Sequence, residues 1–223
     1  MTGEPQGVPF WSLPEVDASI PATLWHLERH GVLAYPTETV YGFGGAIDSA
    51  SVNRLVALKR RPDGKPFLLL ISNSAMIDRL SLHLSKSAAM LAARFWPGPL
   101  TLVLSGGEGR VASRLRGPEG GVAVRWTPHP GLQRLIAAMG DPLTSTSANR
   151  PGQPPAMSAA SILEAWKQEI ARGVLRLLDG GTLQPSPPST VVDCTGRHPR
   201  VIRPGAISVD ALRAAVPDIV GDR

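Results

Sequence analysis

Four polar parts of the sequence carry the side chains that could bind or react with a ligand. They are residues 35–42, residues 59–62, residues 144–149, and residues 188–193 together with 202–205. They supply hydroxyl groups, an amide, lysine and arginine. Hydroxyl and backbone N–H groups hold phosphate or ribose oxygens, and arginine binds phosphate and carboxylate through paired hydrogen bonds. Together these segments predict a cleft for an anion and a small polar metabolite.

Each of these segments also has a less specific explanation when it is taken alone. Basic residues 59–61 end a predicted helix, where positive charge complements the helix dipole. Residues 144–149 could form an ordinary solvent-exposed loop. Only the combination of the segments favours a binding site.

Several other kinds of site are excluded by the sequence. The dinucleotide-binding pattern G-x-G-x-x-G is interrupted at Ile47. His26 and His30 are spaced like zinc ligands on a helix, but Leu27 stands where the pattern H-E-x-x-H needs glutamate. The single cysteine, Cys194, excludes a disulfide within the chain and a multi-cysteine zinc site. The patterns of phosphate-binding loops and of serine-hydrolase elbows are absent.

The composition is that of an ordinary globular domain with a positive charge. The chain has 223 residues, of which 43% are hydrophobic and 18% charged, so it can bury a core of its own. A net charge of +5 favours an anionic ligand. No apolar run is long enough for a membrane span, and the N-terminus lacks the pattern of a secretory signal. We therefore expect a cytoplasmic protein.

The positions of apolar residues predict strands and helices that interleave without strict alternation. This arrangement is typical of a mixed α/β fold, α+β-like in part, in which helices cover a twisted mixed sheet with a basic concave cleft. We expect residues 1–17, which are rich in proline, to form a flexible N-terminal arm. Residues 18–223 then form a single domain.

Three local features of this pattern can be compared directly with a structure. The first helix is expected from Pro21 to His30, with Gly31 ending it. The stretch 105–121, rich in glycine and arginine, predicts a mobile loop. Residues 144–155 are expected to form a polar loop after a short strand near Leu143.

Seven short motifs occur in order along the chain. They are Y-P-T-E-T-V-Y-G at 35–42, K-x-R-P at 59–62, P-G-P-L-T-L at 97–102, V-A-V-R at 122–125, S-A-N at 147–149, P-S-T-V-V-D at 188–193 and I-R-P-G at 202–205. Any one of them is weak evidence. Together, from about Ile20 to Ile207, they resemble the YrdC/Sua5 family of threonylcarbamoyl-AMP synthases, and in length the chain is similar to the short, single-domain bacterial members.

This resemblance implies an ATP-dependent reaction. L-Threonine and bicarbonate would give an N-carboxy intermediate that attacks the α-phosphorus of ATP, so that threonylcarbamoyl-AMP forms and pyrophosphate leaves. A partner complex would then transfer the threonylcarbamoyl group to adenosine 37 of tRNAs that read ANN codons, and the protein itself could contact tRNA. The resemblance also implies that Mg²⁺ accompanies ATP, although it assigns no residue to a metal site.

The resemblance further implies roles for nine side chains. Threonine and its carbamate would be bound by Thr39, Arg125 and Ser147. Triphosphate and carboxylate charge would be neutralised in catalysis by Lys59 and Arg61, and we expect the Arg61 side chain to be exposed. ATP would be bound by a group that includes hydroxyl, amide and guanidinium side chains: Arg61, Ser145, Asn149, Ser189 and Arg203.

The sequence departs from the family pattern at three places. Leu70 stands where some members have histidine, and Thr146 stands where proline is common. Arg150-Pro151 replaces the usual S-G after S-A-N. Contacts to substrate at these positions are therefore not carried over from the family.

Two alternatives remain open at the level of sequence. One is an RNA-binding module that uses the basic face without catalysis, although only 5% of the residues are aromatic, which is poor for base stacking. The other is a related carbamoyl-transfer domain of hydrogenase maturation. That domain normally lies in a longer chain with acylphosphatase and zinc-finger-like segments, which this sequence lacks.

Overall fold

A single mixed sheet runs through the part of the chain that this computed structural model describes, residues 7–62 and 65–221. Its eleven strands over those residues are β1 (Val8–Pro9), β2 (Val32–Tyr35), β3 (Gly42–Gly44), β4 (Leu68–Ile71), β5 (Leu82–His83), β6 (Leu100–Gly106), β7 (Val122–Trp126), β8 (Leu143–Ser147), β9 (Leu175–Asp179), β10 (Thr190–Asp193) and β11 (Arg200–Arg203). They lie in the order β1-β9-β2-β3-β8-β4-β7-β6-β10-β11, and β5 pairs with β6. Parallel pairs such as β4 with β7 adjoin antiparallel pairs such as β6 with β7. The predicted mixed α/β fold is confirmed.

Helices cover this sheet. Those in the described residues are α1 (Leu13–Glu28), α2 (Ser49–Lys59), α3 (Ala75–Arg79), α4 (Lys86–Phe95), α5 (Pro130–Met139), α6 (Ala159–Ala165), α7 (Lys167–Ala171) and α8 (Val209–Ala215), with a 3-10 turn at Ser113–Leu115. Helices α1 and α2 pack on β2, α5 packs on β4, and α4 packs on β6. Within the described part of the chain, no helix is long and apolar enough to pass through a membrane.

Regular structure begins earlier in the chain than the sequence predicts. Val8 pairs with Leu178 of β9, and α1 begins at Leu13. Phe10 and Val16 are both buried in the core, which holds this segment against the domain. Residues 7–17 are therefore not the flexible arm that we expected. Residues 1–6 of that predicted arm lie outside the described residues.

Strand β8 replaces most of the first half of a predicted polar loop. Its backbone pairs on both sides, so that Ser147 lies opposite Gly42 of β3 and Ser145 lies opposite Leu68 of β4. Residues 143–145 pair with β4 and residues 146–147 pair with β3, so the whole segment takes part in the sheet. The prediction of a loop from residue 144 is wrong at this point, because a run of hydroxyl residues does not resemble an apolar strand.

The predicted loop at residues 105–121 is also more ordered than expected. Strand β6 continues to Gly106, and the turn at Ser113–Leu115 buries Leu115 completely. Arg116 donates from Nη1 to the carbonyl oxygen of Gly120 at 2.8 Å. Leu115 thus holds the loop against the core, and the Arg116 hydrogen bond closes its second half on itself.

Candidate active site

A cavity of about 630 Å³ opens on one face of the sheet, between β3 and β11. This volume lies within the range of roughly 300–1,000 Å³ that is usual for small-molecule sites. Seven of the nine predicted site side chains line it: Thr39, Arg61, Arg125, Ser145, Ser147, Ser189 and Arg203. The other two, Lys59 and Asn149, lie beside it and do not line it.

Strand register explains why residues that are distant in sequence meet here. Side chains two residues apart on a strand point to the same face of a sheet. Ala123 and Arg125 of β7 both line the cavity, whereas Val124 between them is buried in the core. Ser145 and Ser147 of β8 also line the cavity, and Thr146 between them reaches its edge, where it accepts from Arg61. The alternation therefore brings Arg125, Ser145 and Ser147 to the face of the sheet on which the cavity lies.

The far wall of the cavity is held by Arg203 at the end of β11. Its Nη2 donates to the carbonyl oxygen of Ser189 at 2.8 Å and to the Ser189 hydroxyl at 2.9 Å. The Ser189 hydroxyl also lies 3.0 Å from the Thr101 hydroxyl on β6. Arg203 Nη1 takes part in none of these bonds, so a ligand anion can bind to that nitrogen.

Arg61 forms the near wall and is half-buried, which corrects the expectation that it is exposed. Its three nitrogens donate to the Lys65 carbonyl at 2.8 Å, the Thr146 hydroxyl at 3.0 Å and the Pro66 carbonyl at 2.7 Å. The guanidinium also stacks 4.6 Å from the centroid of the Phe67 ring. These contacts use three of the five N–H donors of the group and leave two for a ligand.

Arg125 lies at the base of the cavity with Glu38 behind it. Arg125 Nη1 is 3.4 Å from Glu38 Oε1, and both side chains are mostly buried. Glu38 Oε2 accepts from the Thr127 hydroxyl at 3.3 Å. The carboxylate thus sits next to the guanidinium and outside the cavity lining.

Lys59 points at the backbone of the S-A-N motif and away from the cavity. Its ammonium donates to the Ser147 carbonyl at 2.8 Å, to Asn149 Oδ1 at 2.7 Å and to the Asn149 carbonyl. An ammonium has three N–H donors, so all of them are used by this loop. Burial, followed by the positive charge of Arg61, lowers the pKa of Lys59 to about 8.

The first hydroxyl segment is shaped by a turn that Thr37 stabilises. The Thr37 hydroxyl accepts from the backbone N–H groups of Thr39 and Val40 at 3.1 and 3.2 Å. It also lies 3.1 Å from the Thr39 hydroxyl. The Thr37 hydroxyl also donates to the Val40 carbonyl at 2.6 Å, so it is used within the turn, and the Thr39 hydroxyl is the one that the turn presents to the cavity.

The cavity is positively charged as a whole. Arg61, Arg125 and Arg203 line it, and no acidic residue of the described ranges does. Burial, and after it the positive charge of Arg125, lowers the pKa of Arg203. Bound anions would compensate both effects, so the arrangement favours a phosphate or a carboxylate as ligand.

The three departures from the family pattern have structural roles of their own. Leu70 is fully buried in the core. Thr146 accepts the hydrogen bond from Arg61 already described. Arg150 donates to the Ala165 carbonyl at 2.5 Å and stacks 4.4 Å from the Trp166 ring, which fastens the segment after S-A-N to α6.

Sequence reasoning missed four residues of this site. Thr37, Thr101 and Glu38 belong to quoted motifs, so the motifs themselves could have indicated them. Ser186 lies in a proline-rich stretch that carries no such signal, yet it lines the cavity and donates to the Glu38 carbonyl at 3.1 Å.

The site offers neither a metal cluster nor an aromatic platform. Across residues 7–62 and 65–221, no group of three His, Cys, Asp or Glu side chains could hold a metal ion. Of the cavity-lining residues in that part of the chain, none is aromatic. The cavity is therefore suited to hydrogen bonding and charge neutralisation, and it does not offer the rings on which unpaired bases stack.

Comparison with known proteins identifies the family of this chain. The Sua5/YciO/YrdC family model, described as "Telomere recombination", matches residues 26–205. The chain belongs to the Sua5/YciO/YrdC family. It is 36% identical over 193 residues to the threonylcarbamoyl-AMP synthase of Pyrococcus abyssi, which covers 86% of this chain and 55% of that protein. It is 41% identical over 171 residues to that of Chromohalobacter salexigens, which covers 75% of this chain and 88% of that protein.

A solved member of the family has the same fold. The crystal structure of Pyrococcus abyssi Sua5 complexed with L-threonine matches this structure with a TM-score of 0.83 and 33% identity. The match covers 92% of this chain and 59% of that protein. The chain thus spans little more than half the length of the Pyrococcus relative.

Proposed function

We propose that this protein is a threonylcarbamoyl-AMP synthase that acts in the cytoplasm on L-threonine, bicarbonate and ATP. Threonine and bicarbonate condense to N-carboxythreonine with loss of water. An oxygen of the N-carboxylate (carbamate) group of this intermediate then forms a bond to the α-phosphorus of ATP. The bond from that phosphorus to the β-phosphate oxygen breaks, and pyrophosphate leaves.

One observation carries the proposal. Hydroxyl groups from the Thr37–Thr39 turn, from β8 and from Ser189 converge with three guanidinium groups on a single cavity in a member of this family. Adenylyl transfer needs in-line positioning and charge neutralisation far more than it needs covalent help from the protein. A cavity rich in arginine and hydroxyl groups provides both.

The geometry suggests which part of the cavity each substrate would occupy. Arg125 lies at the base of the cavity, and with Thr39 and Ser147 it would bind threonine and its carbamate. Arg61 and Arg203 lie on opposite walls, and with Ser145 and Ser189 they would bind the nucleotide. Each arginine keeps donors that the protein does not use, and those donors are what a phosphate or carboxylate would occupy.

Lys59 and Asn149 would contribute in a different way from the one the resemblance implies. Because the Lys59 ammonium donates to the backbone of residues 147 and 149, we propose that it holds the S-A-N segment in place. Asn149 Oδ1 accepts from both Lys59 and the Ser147 hydroxyl, the latter at 2.8 Å. Both residues would thereby orient the Ser147 hydroxyl towards the substrate.

Magnesium would arrive with the nucleotide. The only carboxylate near the cavity, within the described residues that contact its lining, is Glu38, and it faces Arg125. The residues present do not provide a protein site for the ion.

We further propose that the product leaves for a tRNA-modifying complex, which would transfer the threonylcarbamoyl group to adenosine 37. The competing function is that of an RNA-binding module without catalysis. The positive charge of the cavity supports it, but none of the described residues that line the cavity is aromatic. Salt-sensitive tRNA binding without ATP binding would favour that alternative.

The deciding experiment is an assay of pyrophosphate release by the purified protein. We expect release only when threonine, bicarbonate and ATP are present together. Omitting each substrate in turn provides the controls. Equal release without threonine, or no release at all, would contradict the proposed function.

A further inference from the structure

Glu38 and Arg125 form a buried pair whose hydrogen bonding is incomplete. Five buried side-chain atoms in the described residues have no hydrogen-bond partner, and two of them, Glu38 Oε1 and Arg125 Nε, belong to this pair. Buried polar atoms are nearly always satisfied, so each exception needs an explanation. Both atoms are closed off from solvent, so the pair is held in a geometry that its own hydrogen bonds do not complete, and Glu38 leaves part of the Arg125 guanidinium unused.

The position of the pair shows which partner would fit. Arg125 lines the cavity, and its Nη1 faces Glu38 at 3.4 Å. Arg125 Nε is closed off from solvent, so the nitrogen that remains for a ligand in the cavity is Nη2. A planar guanidinium with one edge taken by a carboxylate still offers a second edge to another carboxylate. The second carboxylate must come from a ligand, since none of the cavity-lining residues in the described ranges is acidic.

Glu38 is itself held by three parts of the structure. Its Oε2 accepts from the Thr127 hydroxyl, which follows β7. Its backbone carbonyl accepts from Ser186 at 3.1 Å. Its neighbours Thr37 and Thr39 form the hydroxyl turn. The carboxylate is therefore fixed relative to the turn, to β7 and to the segment of Ser186, and it can fix the guanidinium in turn.

The two arginines at the base and the far wall differ in their partners. Arg203 is held by neutral oxygens of Ser189, whereas Arg125 faces a carboxylate. The charge of Arg203 is thus uncompensated, while that of Arg125 is largely compensated. An uncompensated guanidinium suits a multiply charged phosphate, and a compensated and oriented one suits a single carboxylate.

We propose that Glu38 is a positioning residue that orients Arg125 to receive the α-carboxylate of threonine. This inference rests on the proposed function. Glu38 touches no substrate. It holds one edge of the guanidinium, so that the other edge is presented to the amino acid, and it lowers the attraction of Arg125 for the phosphates of ATP.

The test compares threonine with L-threoninamide, which lacks the carboxylate. Glu38→Gln keeps the shape of the side chain and removes its charge. We expect the variant to bind threonine about tenfold more weakly in calorimetry and to raise the KM for threonine equally, because a charged orienting contact is lost. Binding of threoninamide and the KM for ATP should change less than about twofold.

A matched control is available outside the site. Asp17 pairs with Arg134 at 2.7 Å on the surface, so Asp17→Asn removes a carboxylate from another arginine. That variant should bind both ligands as the unaltered protein does. If Glu38→Gln does not fold, Glu38→Asp keeps the charge on a shorter side chain and should still weaken threonine more than threoninamide.

The outcomes separate the possible explanations. Equal weakening of threonine and threoninamide, or unchanged threonine binding in a folded variant, overturns the role of Glu38 while the synthase assignment stands. Absence of threonine binding and of threonine-dependent turnover in the unaltered protein overturns the proposed function and this inference with it.

Discussion

Three arginines face one cavity, and what distinguishes them is the set of partners that each already has. Arg61 is held by backbone carbonyls and a hydroxyl, Arg125 by a carboxylate, and Arg203 by Ser189. Each arrangement leaves some donors unused. The same residue type can therefore serve a triphosphate at one place and an amino acid at another.

The first prediction concerns Arg61. Arg61→Ala removes three hydrogen bonds and the stacking on Phe67. We expect kcat/KM for ATP to fall by roughly 10²-fold or more, as when a charge-stabilising donor is removed. Because two carbonyls lose their donor, the free energy of unfolding should also fall by about 1–3 kcal/mol. ATP saturation curves and thermal melts measure the two effects.

Arg60→Ala is the control for this prediction. Arg60 is the neighbouring residue, is exposed, and ends α2 with a left-handed backbone. The substitution removes the same charge, yet Arg60 does not line the cavity. If both variants lose ATP affinity equally, the loss comes from the reduced positive charge of the protein as a whole, and Arg61 has no specific role.

The second prediction concerns the pH dependence of Lys59. Burial lowers the pKa of its ammonium from 10.5 to about 8, so the group becomes neutral as the pH rises through that value. A neutral amine has two N–H donors and cannot serve three acceptors. Because Lys59 holds the Ser147 carbonyl, we expect the affinity for threonine to fall between pH 7 and pH 9 (about one pH unit either side of the pKa).

A stability effect of Lys59 has the opposite sign. The unfolded chain keeps the proton up to about pH 10.5, whereas the folded protein releases it near pH 8. This group alone therefore raises the free energy of unfolding as the pH rises between these values. Lys59→Met should bind threonine more weakly at pH 7 and lose the part of the pH dependence that Lys59 causes. The same pH dependence in Lys59→Met would contradict the assignment.

Among the elements, the β3–β8 pair is the one that positions the hydroxyl groups. A Cβ at Gly44 would lie 1.7 Å from the carbonyl oxygen of Thr144. The Tyr35 hydroxyl donates to that same oxygen at 2.9 Å. The close approach of the two strands thus requires glycine, and it places Ser145 and Ser147 at the cavity.

The third prediction tests this close approach. Gly44→Ala must push β8 away from β3, and we expect a loss of about 2–4 kcal/mol in the free energy of unfolding, measured by urea denaturation. Gly196→Ala is the control, since a Cβ there meets nothing closer than 4.0 Å. A loss below about 1 kcal/mol for Gly44→Ala would show that the strands can move apart freely.

The molecule as a whole places its binding groups on a sheet that joins distant parts of the chain. β3, near the N-terminus, and β11, near the C-terminus, lie at the two ends of the cavity. A ligand that bridges them would bind the folded protein and not the unfolded chain. Ligand binding should therefore be visible as increased stability of the entire domain.

The fourth prediction follows from this linkage. At about 100 times its dissociation constant, a ligand adds about 2.7 kcal/mol to the free energy of unfolding. For a chain of this size that corresponds to a rise in Tm of roughly 5–10 °C. A non-hydrolysable ATP analogue and threonine should each raise the Tm in differential scanning fluorimetry. The rise for the analogue should shrink in high salt, because the cavity is positive.

Much of this structure follows from local sequence patterns. The apolar runs 32–35 and 67–71 are bounded by proline, glycine or polar residues, and they contain the strands β2 and β4 of the predicted sheet. The motifs around Thr39, Arg61, Ser147 and Arg203 indicate the family and the residues of the cavity. Such patterns suffice because apolar periodicity and motif spacing are properties of a short stretch of chain.

Other features depend on partners that are far away in sequence. Residues 144–147 become a strand because β3 and β4 pair with them on both sides, and hydroxyl side chains give no local sign of that pairing. Residues 7–17 are held by contacts with β9 and the core. Lys59 faces the S-A-N backbone, and Arg125 faces Glu38, only because folding brings those groups together. Residue types and their order along the chain thus indicate the chemistry, whereas the partner of each charged group is a long-range contact that local patterns do not encode.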